Sequence, residues 1–263
     1  MISDKNIDKG KAFDWGRTSE DYAKYRDVYP KQVYDRILSY GLCQKGQIVL
    51  DLGTGTGVLP RNMYRYGAKF IGTDISENQI HQAKLLSETQ GMDIEYLVSS
   101  AEELDFPENS FDVITAFTCF FYFDHDILMP KLKKWLKPDG HLLVGYLSWL
   151  PFEDKIAEES EKLILKYNPD WSGAGETRRS AFVPECYKKD FEKVHNEIID
   201  MKIPFTRESW NGRIRACRGV GASLSENDIN SFEKEHLDML DSFGADKFDV
   251  LHYAALADLK LRR

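Results

Sequence analysis

The sequence predicts an α/β protein built on a doubly wound, mostly parallel sheet, and three observations predict it. The apolar run Gln47 to Leu52 ends in the alternating glycines Gly53, Gly55 and Gly57, and a helical pattern opens at once with Val58-Leu59-Pro60. A run this short, with a β-branched pair, suits a buried parallel strand. Strand-like and helix-like stretches then alternate as far as residue 147, the pattern of right-handed crossovers. Finally, 263 residues with 42% hydrophobic and 13% aromatic side chains supply a sizeable core.

Taken in order, residues 1–12 are polar and read as a frayed terminus. Thr18 or Ser19 can cap a helix carrying Asp21 in its first turn, followed by an aromatic face from Tyr22 and Tyr25. A second helix runs from Pro30 to Tyr40 and stops at Gly41. After the first strand and its glycine turn, Pro60 suits a first helical turn and Gly67 a helix end. Lys69–Asp74 is the second strand, and Ser76-x-x-Gln79 forms a capping box for a helix reaching Thr89, ended by Gly91. Ile94–Val98 is the third strand and Phe111–Phe117 the fourth. Asp126 to Leu136 is helical, Lys137-Pro138-Asp139-Gly140 a tight turn, and His141 to Leu147 the fifth strand. Beyond it, Phe152 to Tyr167 is an amphipathic acidic helix. Val194 to Phe205 alternates as a sixth strand, Ser225 caps a helix to Leu240, and Phe248 to Ala257 is the last strand.

Composition narrows the function. Lys plus Arg number 35 against 43 Asp plus Glu, a net charge of −8, which lacks the electrostatic footprint of a duplex or tRNA binder. Cys43, Cys119, Cys186 and Cys217 are scattered without a C-x-x-C pair, so no metal site is expected and buried structural thiols are the reading. The start of the chain has no apolar signal region, and the stretch Leu142–Leu150 is too short to span a membrane. A cytoplasmic monomer or homodimer is expected, with no nucleic-acid or membrane partner.

The glycine turn carries the chemistry. Without Cβ atoms the backbone turns tightly and lets a ligand approach the start of the helix. A dinucleotide fingerprint, G-x-G-x-x-G, requires a third glycine where this chain has Val58 or, counted from Gly55, Pro60. What stands here is Asp51-x-Gly53-x-Gly55-x-Gly57, with Asp74 at the carboxyl end of the next strand. A carboxylate there can accept two hydrogen bonds from a ribose diol. The capping box already serves the following helix, which leaves Asp74 for a ligand.

This pattern is similar to the first two motifs of class I S-adenosylmethionine-dependent methyltransferases of the type 11-like, small-molecule kind. "FDVITA" (residues 111–116) and "LKPDGHLLV" (residues 136–144) resemble later motifs of the family. The resemblance covers residues 13–147 well and the remainder in general plan. It implies a Rossmann-like, doubly wound, seven-stranded sheet with an antiparallel last strand and a helical cap or insertion. It implies one methyltransferase domain over 1–263: an N-terminal helical lid (1–42), a cofactor-binding core (43–147), an insertion after strand five (148–190), and C-terminal strands and helix (191–263). The implied cofactor is S-adenosyl-L-methionine. Implied contacts are Asp51, Gly53, Thr54, Gly55 and Gly57 of the turn, Asp74 and Ile75 after strand two, and Phe117 and Thr118 after strand four. Ser100, Ala101 and Glu102 stand at the adenine position, where many relatives have an acid at Ser100. The stretch Tyr22-x-x-Tyr25-Arg26-x-x-Tyr29-Pro30 resembles the family's N-terminal helix, which makes Tyr25 and Arg26 candidates for the cofactor's carboxylate.

Catalytic candidates are Tyr122 and His125, just past strand four, although many relatives place a histidine nearer Phe121 and Tyr122. His125 has a pKa suited to a base at neutral pH, and the rival reading is a solvated or capping residue. Trp149 and Trp171 can line an acceptor pocket or pack as core. Arg213 and Arg215, in the cluster Trp210–Arg218, can bind an acceptor anion or pair with acids of the following helix. Alternatives to methyl transfer are a cofactor-binding protein without turnover, a tRNA or protein methyltransferase, and a nicotinamide-dependent oxidoreductase.

Overall fold

The computed structural model describes residues 2–26 and 29–262. Seven strands form one sheet in the order β3-β2-β1-β4-β5-β7-β6: β1 (Ile48–Leu52), β2 (Lys69–Asp74), β3 (Glu95–Val98), β4 (Phe111–Phe117), β5 (Leu136–Trp149), β6 (Phe191–Thr206) and β7 (Lys247–Leu261). β1 pairs in parallel with β2 and β4, β2 with β3, and β4 with β5, while β7 runs antiparallel. The chain winds outward from β1 through β2 and β3, then returns to β4 on the other side of β1. The switch point therefore lies between β1 and β4, and a ligand is expected outside their carboxyl ends.

The chain clusters into two compact units. The first, called the sheet unit, comprises Val28–Leu147, Arg179–Ile199 and Ala254–Arg263. It holds most of the sheet with α2 (Lys31–Ser39), α3 (Val58–Met63), α4 (Glu77–Thr89) and α5 (His125–Trp135). Its central strands are buried on both faces: Val49, Leu50, Leu52, Val113 and Ile114 have no exposed surface, which is why they read as unbroken apolar runs. The second, the helical unit, comprises Met1–Asp27, Ser148–Arg178 and Asp200–Tyr253, with α1 (Ser19–Tyr25), α6 (Lys155–Tyr167), α7 (Arg207–Arg215) and α8 (Glu226–Ser242). Trp149, Ile164, Trp171, Trp210 and Phe232 belong to a core of its own.

β2 and β4 have the bounds expected from the sequence, and Ser76 Oγ accepts from the Gln79 amide at the start of α4. The Lys137–Gly140 stretch turns as expected, inside the first part of β5: Leu136 pairs with Phe111 and His141 with Val113, so the four residues bulge out of the ladder, with the Lys137 carbonyl 2.9 Å from where a Cβ on Gly140 would stand. Three local readings change. Thr18 gives no side-chain cap. Asp14 instead accepts from the Gly16 amide, and a short 3₁₀ turn, Trp15–Thr18, leads into α1. The N-terminal stretch is not frayed: Ile2 bridges Phe13, and the buried Asp8 carboxylate accepts from the Ser172 amide and hydroxyl. Cys43 and Cys217 are buried as expected, whereas Cys119 is only partly buried and Cys186 is exposed. Among the described residues, no helix is long and apolar enough to cross a membrane.

Candidate active site

Within the sheet unit, the end of β1 is organised from beneath by Asp51. Its register partner on β4 is Thr115, whose hydroxyl donates to Oδ1 at 2.5 Å, while the Thr54 hydroxyl donates to Oδ2 at 2.6 Å. Burial pushes the Asp51 carboxyl up to about 7, against the pull of the two threonines, and the neighbouring Asp74 raises it further. Asp51 and Thr54 thus hold the turn, and the Thr54 amide also donates to the Thr73 carbonyl at 2.8 Å.

Gly53, Gly55 and Gly57 all lie in the left-handed region, at φ of 60°, 57° and 75°. A Cβ on Gly57 would fall 2.3 Å from the Tyr96 hydroxyl oxygen, so both backbone angle and space require glycine there. Asp74 closes the turn from β2: Oδ2 accepts from the Gly55 amide at 3.0 Å and Oδ1 from the Ser76 amide at 2.9 Å. It is therefore less free than the sequence suggests, yet each oxygen keeps acceptor capacity. Burial raises its pKa, and the two amides oppose that rise.

Other expected contacts cluster around the same strand ends. Ile75 follows Asp74 with 58% of its surface exposed, an apolar face beside a carboxylate. After β3, Ala101 is buried, Ser100 is partly exposed and its carbonyl accepts from the Glu103 amide, and Glu102 Oε1 accepts from the Asp124 amide at 2.8 Å. Phe117 ends β4 with its ring lying over Gly145. Thr118 follows at φ 59°, a strained angle for a β-branched residue, with its amide held by the Gly145 carbonyl at 2.8 Å. The Cys119 thiol donates to the Leu52 carbonyl, fixing this turn against β1.

His125 is the first residue of α5, and the cap is Asp124, which accepts from the Asp126 and Ile127 amides. The imidazole is half-buried. Nδ1 lies 3.1 Å from the Tyr187 hydroxyl, Nε2 is buried without a hydrogen-bond partner, and the rings of Phe120, Phe182 and Tyr187 surround it. Burial lowers its pKa, so it is neutral at pH 7. Tyr122 is partly exposed, with its ring 4.3 Å from that of Phe121.

A family model described as a methyltransferase domain matches residues 50–144, the stretch from the end of β1 into β5. A ubiquinone biosynthesis O-methyltransferase of Bartonella bacilliformis is 34% identical over 169 residues, 63% of this chain and 67% of that protein. A Dictyostelium discoideum protein named as a methyltransferase is 29% identical over 216 residues, 82% of this chain and 73% of its own length. Matches to other ubiquinone-pathway relatives span 50% and 63% of those proteins. The crystal structure of the YcgJ protein from Bacillus subtilis has the same fold, with a TM-score of 0.53 at 19% identity, covering 89% of this chain and all of that one.

The chain belongs to the S-adenosylmethionine-dependent methyltransferase family. Its homologues act on small molecules, and its cofactor is S-adenosyl-L-methionine. The turn fits that cofactor and not a dinucleotide. The methyltransferase has Asp74 beside three left-handed glycines and Val58, buried at 3% exposure, where a third fingerprint glycine would stand.

The remaining predicted site residues lie in the methyltransferase's helical unit. Tyr25 packs against Gly212 of α7 and donates to Glu208 at 3.0 Å; Arg26 covers the Tyr22 ring and donates to the Ala216 carbonyl. Trp149 donates from Nε1 to the buried Glu161 carboxylate at 2.6 Å, Trp171 lies 6.5 Å from it, and the Arg213 guanidinium covers its ring at 5.1 Å. Arg215 grips Asp21 through Nε and Nη2 at 2.6 and 2.5 Å and reaches Glu233 at 2.6 Å, the ion-pairing alternative. His236, given no role from sequence, bonds Ser160 and Asn211 in the interior. Sequence reasoning missed Glu161, Tyr187 and Arg61. Of these only Arg61 left a signal, a charge inside the apolar run after the glycine turn.

Proposed function

We propose that the methyltransferase transfers the sulfonium methyl of its cofactor to an O, N, S or C nucleophile of a small acceptor, chiefly by alignment and exclusion of water. When bound, the cofactor supplies an already activated methyl, so the protein's task is to orient two partners and keep solvent out. The observation carrying this reading is Asp74, which holds the Gly55 amide at 3.0 Å and retains acceptor capacity for a ribose diol. In this reading Ile75 offers an apolar face to the adenine, the Ser100–Glu102 segment reads its edge, and Phe117 and Thr118 border the reacting end.

Trp149 and Trp171 are assigned to the core of the helical unit, the packing alternative, and Arg213 stays the candidate for an acceptor anion in this proposal. Arg215 is assigned instead to the fold, since two carboxylates already engage it. The names of the ubiquinone relatives favour an oxygen nucleophile. A hydroxyl acceptor must lose a proton, and the partly exposed Tyr122 is the group that can relay it, its own phenol proton passing to solvent as the acceptor's arrives, while the enclosed Nε2 of His125 suits a wall rather than a base. Tyr25 and Arg26 remain candidates for the cofactor's carboxylate only if they leave Glu208 and the Ala216 carbonyl.

The test is calorimetric titration with S-adenosylhomocysteine, followed by a labelled-methyl screen over phenols, carboxylates, amines and thiols. Micromolar binding with methylation of one class supports the proposal. Binding without turnover over the whole panel would replace it with a carrier role.

A further inference from the structure

We propose that Arg61 is a positioning residue that clamps the glycine turn in its ligand-ready form; this rests on the cofactor site described above. Arg61 lies on α3, four residues past Gly57, and only 3% of its surface is exposed. Val58, Leu59 and Met63 of the same helix are equally buried. A guanidinium is costly to bury, so its retention calls for partners that use it. Nε–H donates to the Thr56 carbonyl at 3.0 Å, in the middle of the turn.

Thr56 is the residue on which the turn's shape hinges. It is fully buried, it stands between two left-handed glycines, and its hydroxyl has no hydrogen-bond partner. A peptide beside glycine rotates at little steric cost, so the sequence alone leaves the orientation of the Thr56 carbonyl open. Three neighbouring amides are fastened. The Gly55 amide is on Asp74, the Gly57 amide on the Thr54 carbonyl, and the Arg61 amide on the Gly57 carbonyl. Arg61 Nε completes the set by drawing the Thr56 oxygen toward a buried group. The Thr56 carbonyl and the Gly57 amide form one planar peptide, held at one end by the Thr54 carbonyl and at the other by Arg61; without Arg61 that peptide keeps a single hydrogen bond and a buried carbonyl loses its donor. A planar guanidinium makes this bond with a fixed Nε–H direction, which the flexible ammonium of lysine does not reproduce.

The test compares S-adenosylhomocysteine affinity and melting temperature in Arg61→Met, Arg61→Lys and Met63→Ala, the last removing a buried side chain of the same helix that makes no clamp. The expected result is a dissociation constant raised at least tenfold in both Arg61 variants and less than threefold in Met63→Ala, read well below every melting temperature. Equal losses in all three would make Arg61 an ordinary core residue, and an unchanged constant in Arg61→Lys would overturn the geometric clamp. Failure of the wild type to bind would instead strike the cofactor site itself. A measurement on the wild type stands even if the variants do not fold: the Arg61 Nε proton should exchange slowly in the free protein. Exchange at the rate of a solvated guanidinium would refute the clamp.

Discussion

Replacing Asp74 tests the arrangement that the whole cofactor site depends on. Asp74→Ala removes the acceptor for the Gly55 amide at 3.0 Å and for the Ser76 amide at 2.9 Å, together with the acceptor offered to the ribose. A hydrogen bond to a charged group contributes about 1.5–3 kcal/mol, and about 1.4 kcal/mol changes a dissociation constant tenfold, so losing one such bond to ligand raises it roughly 10- to 150-fold. Asp74→Asn divides the effect. It keeps one acceptor oxygen and relieves the burial that raises the Asp74 pKa, so it should melt above Asp74→Ala while still binding roughly tenfold more weakly than wild type. The ionised form is the acceptor, and its pKa lies above the ordinary 3.8, so wild-type affinity should fall on acidification toward that pKa more steeply than Asp74→Asn affinity. Titration calorimetry with S-adenosylhomocysteine between pH 5 and 8, paired with calorimetric melting, reads all of this. Wild-type affinity in Asp74→Ala, with the melting temperature preserved, would remove Asp74 from the site and the cofactor assignment of the turn with it.

Other substitutions probe the supports. Gly57→Ala places a Cβ 2.3 Å from the Tyr96 hydroxyl at a φ of 75°, and should destabilise by about 2–4 kcal/mol in urea unfolding. Tyr96→Phe removes that hydroxyl and its 3.0 Å bond to Ser87, so the double variant should recover about 1–2 kcal/mol relative to the sum of the singles; strict additivity would mean the clash is absent. Burial lowers both His236 and His252 to about 3 from 6.5, so each takes a proton on unfolding before it can in the fold. Each contributes stability that is present above pH 6.5 and lost at about 1.36 kcal/mol per unit as pH falls toward 3. Asp51, raised from 3.8 to about 7, has the opposite sign: its contribution is present below pH 3.8 and lost as pH rises toward 7. The two histidines outweigh it between 4 and 6.5, and His252→Phe should flatten the slope of the urea midpoint in that range. Arg215→Ala frees Asp21 and Glu233 and should cost about 1–2 kcal/mol of stability without moving cofactor affinity, whereas Arg213→Ala should raise the acceptor's KM.

How far the sequence could be read depends on the distance over which each choice is decided. β2 and β4 are legible because an apolar run between turn residues specifies a buried strand within six or seven positions. The left-handed glycines are legible for the same reason, since backbone angles at Gly53, Gly55 and Gly57 follow from residue type. Asp74 is legible as an acceptor but not in its engagement with Gly55, a partner 19 residues earlier. The Lys137–Gly140 turn is legible from its own residues, but that it interrupts a ladder already begun at Leu136 is decided by the neighbour β4.

The cluster around Arg213 and Arg215 lies at the far end of this scale. Three arginines in an acidic chain suggest an anion site, and the partner that decides against it for Arg215 is Asp21, 194 residues away in α1. No periodicity within α7 reports that pairing. The same applies to Trp149, whose indole is committed to Glu161 across a helix whose apolar stripe gives no hint of a buried carboxylate. A cofactor held mainly by backbone amides and one carboxylate leaves a local trace, because a short sequence sets the backbone. An acceptor held by side chains from distant segments leaves none, and its class must come from the geometry those segments reach when packed. Arg61 stands between the two cases. Its charge is visible inside an apolar run, but its purpose emerges only when the Thr56 carbonyl is found 3.0 Å from Nε.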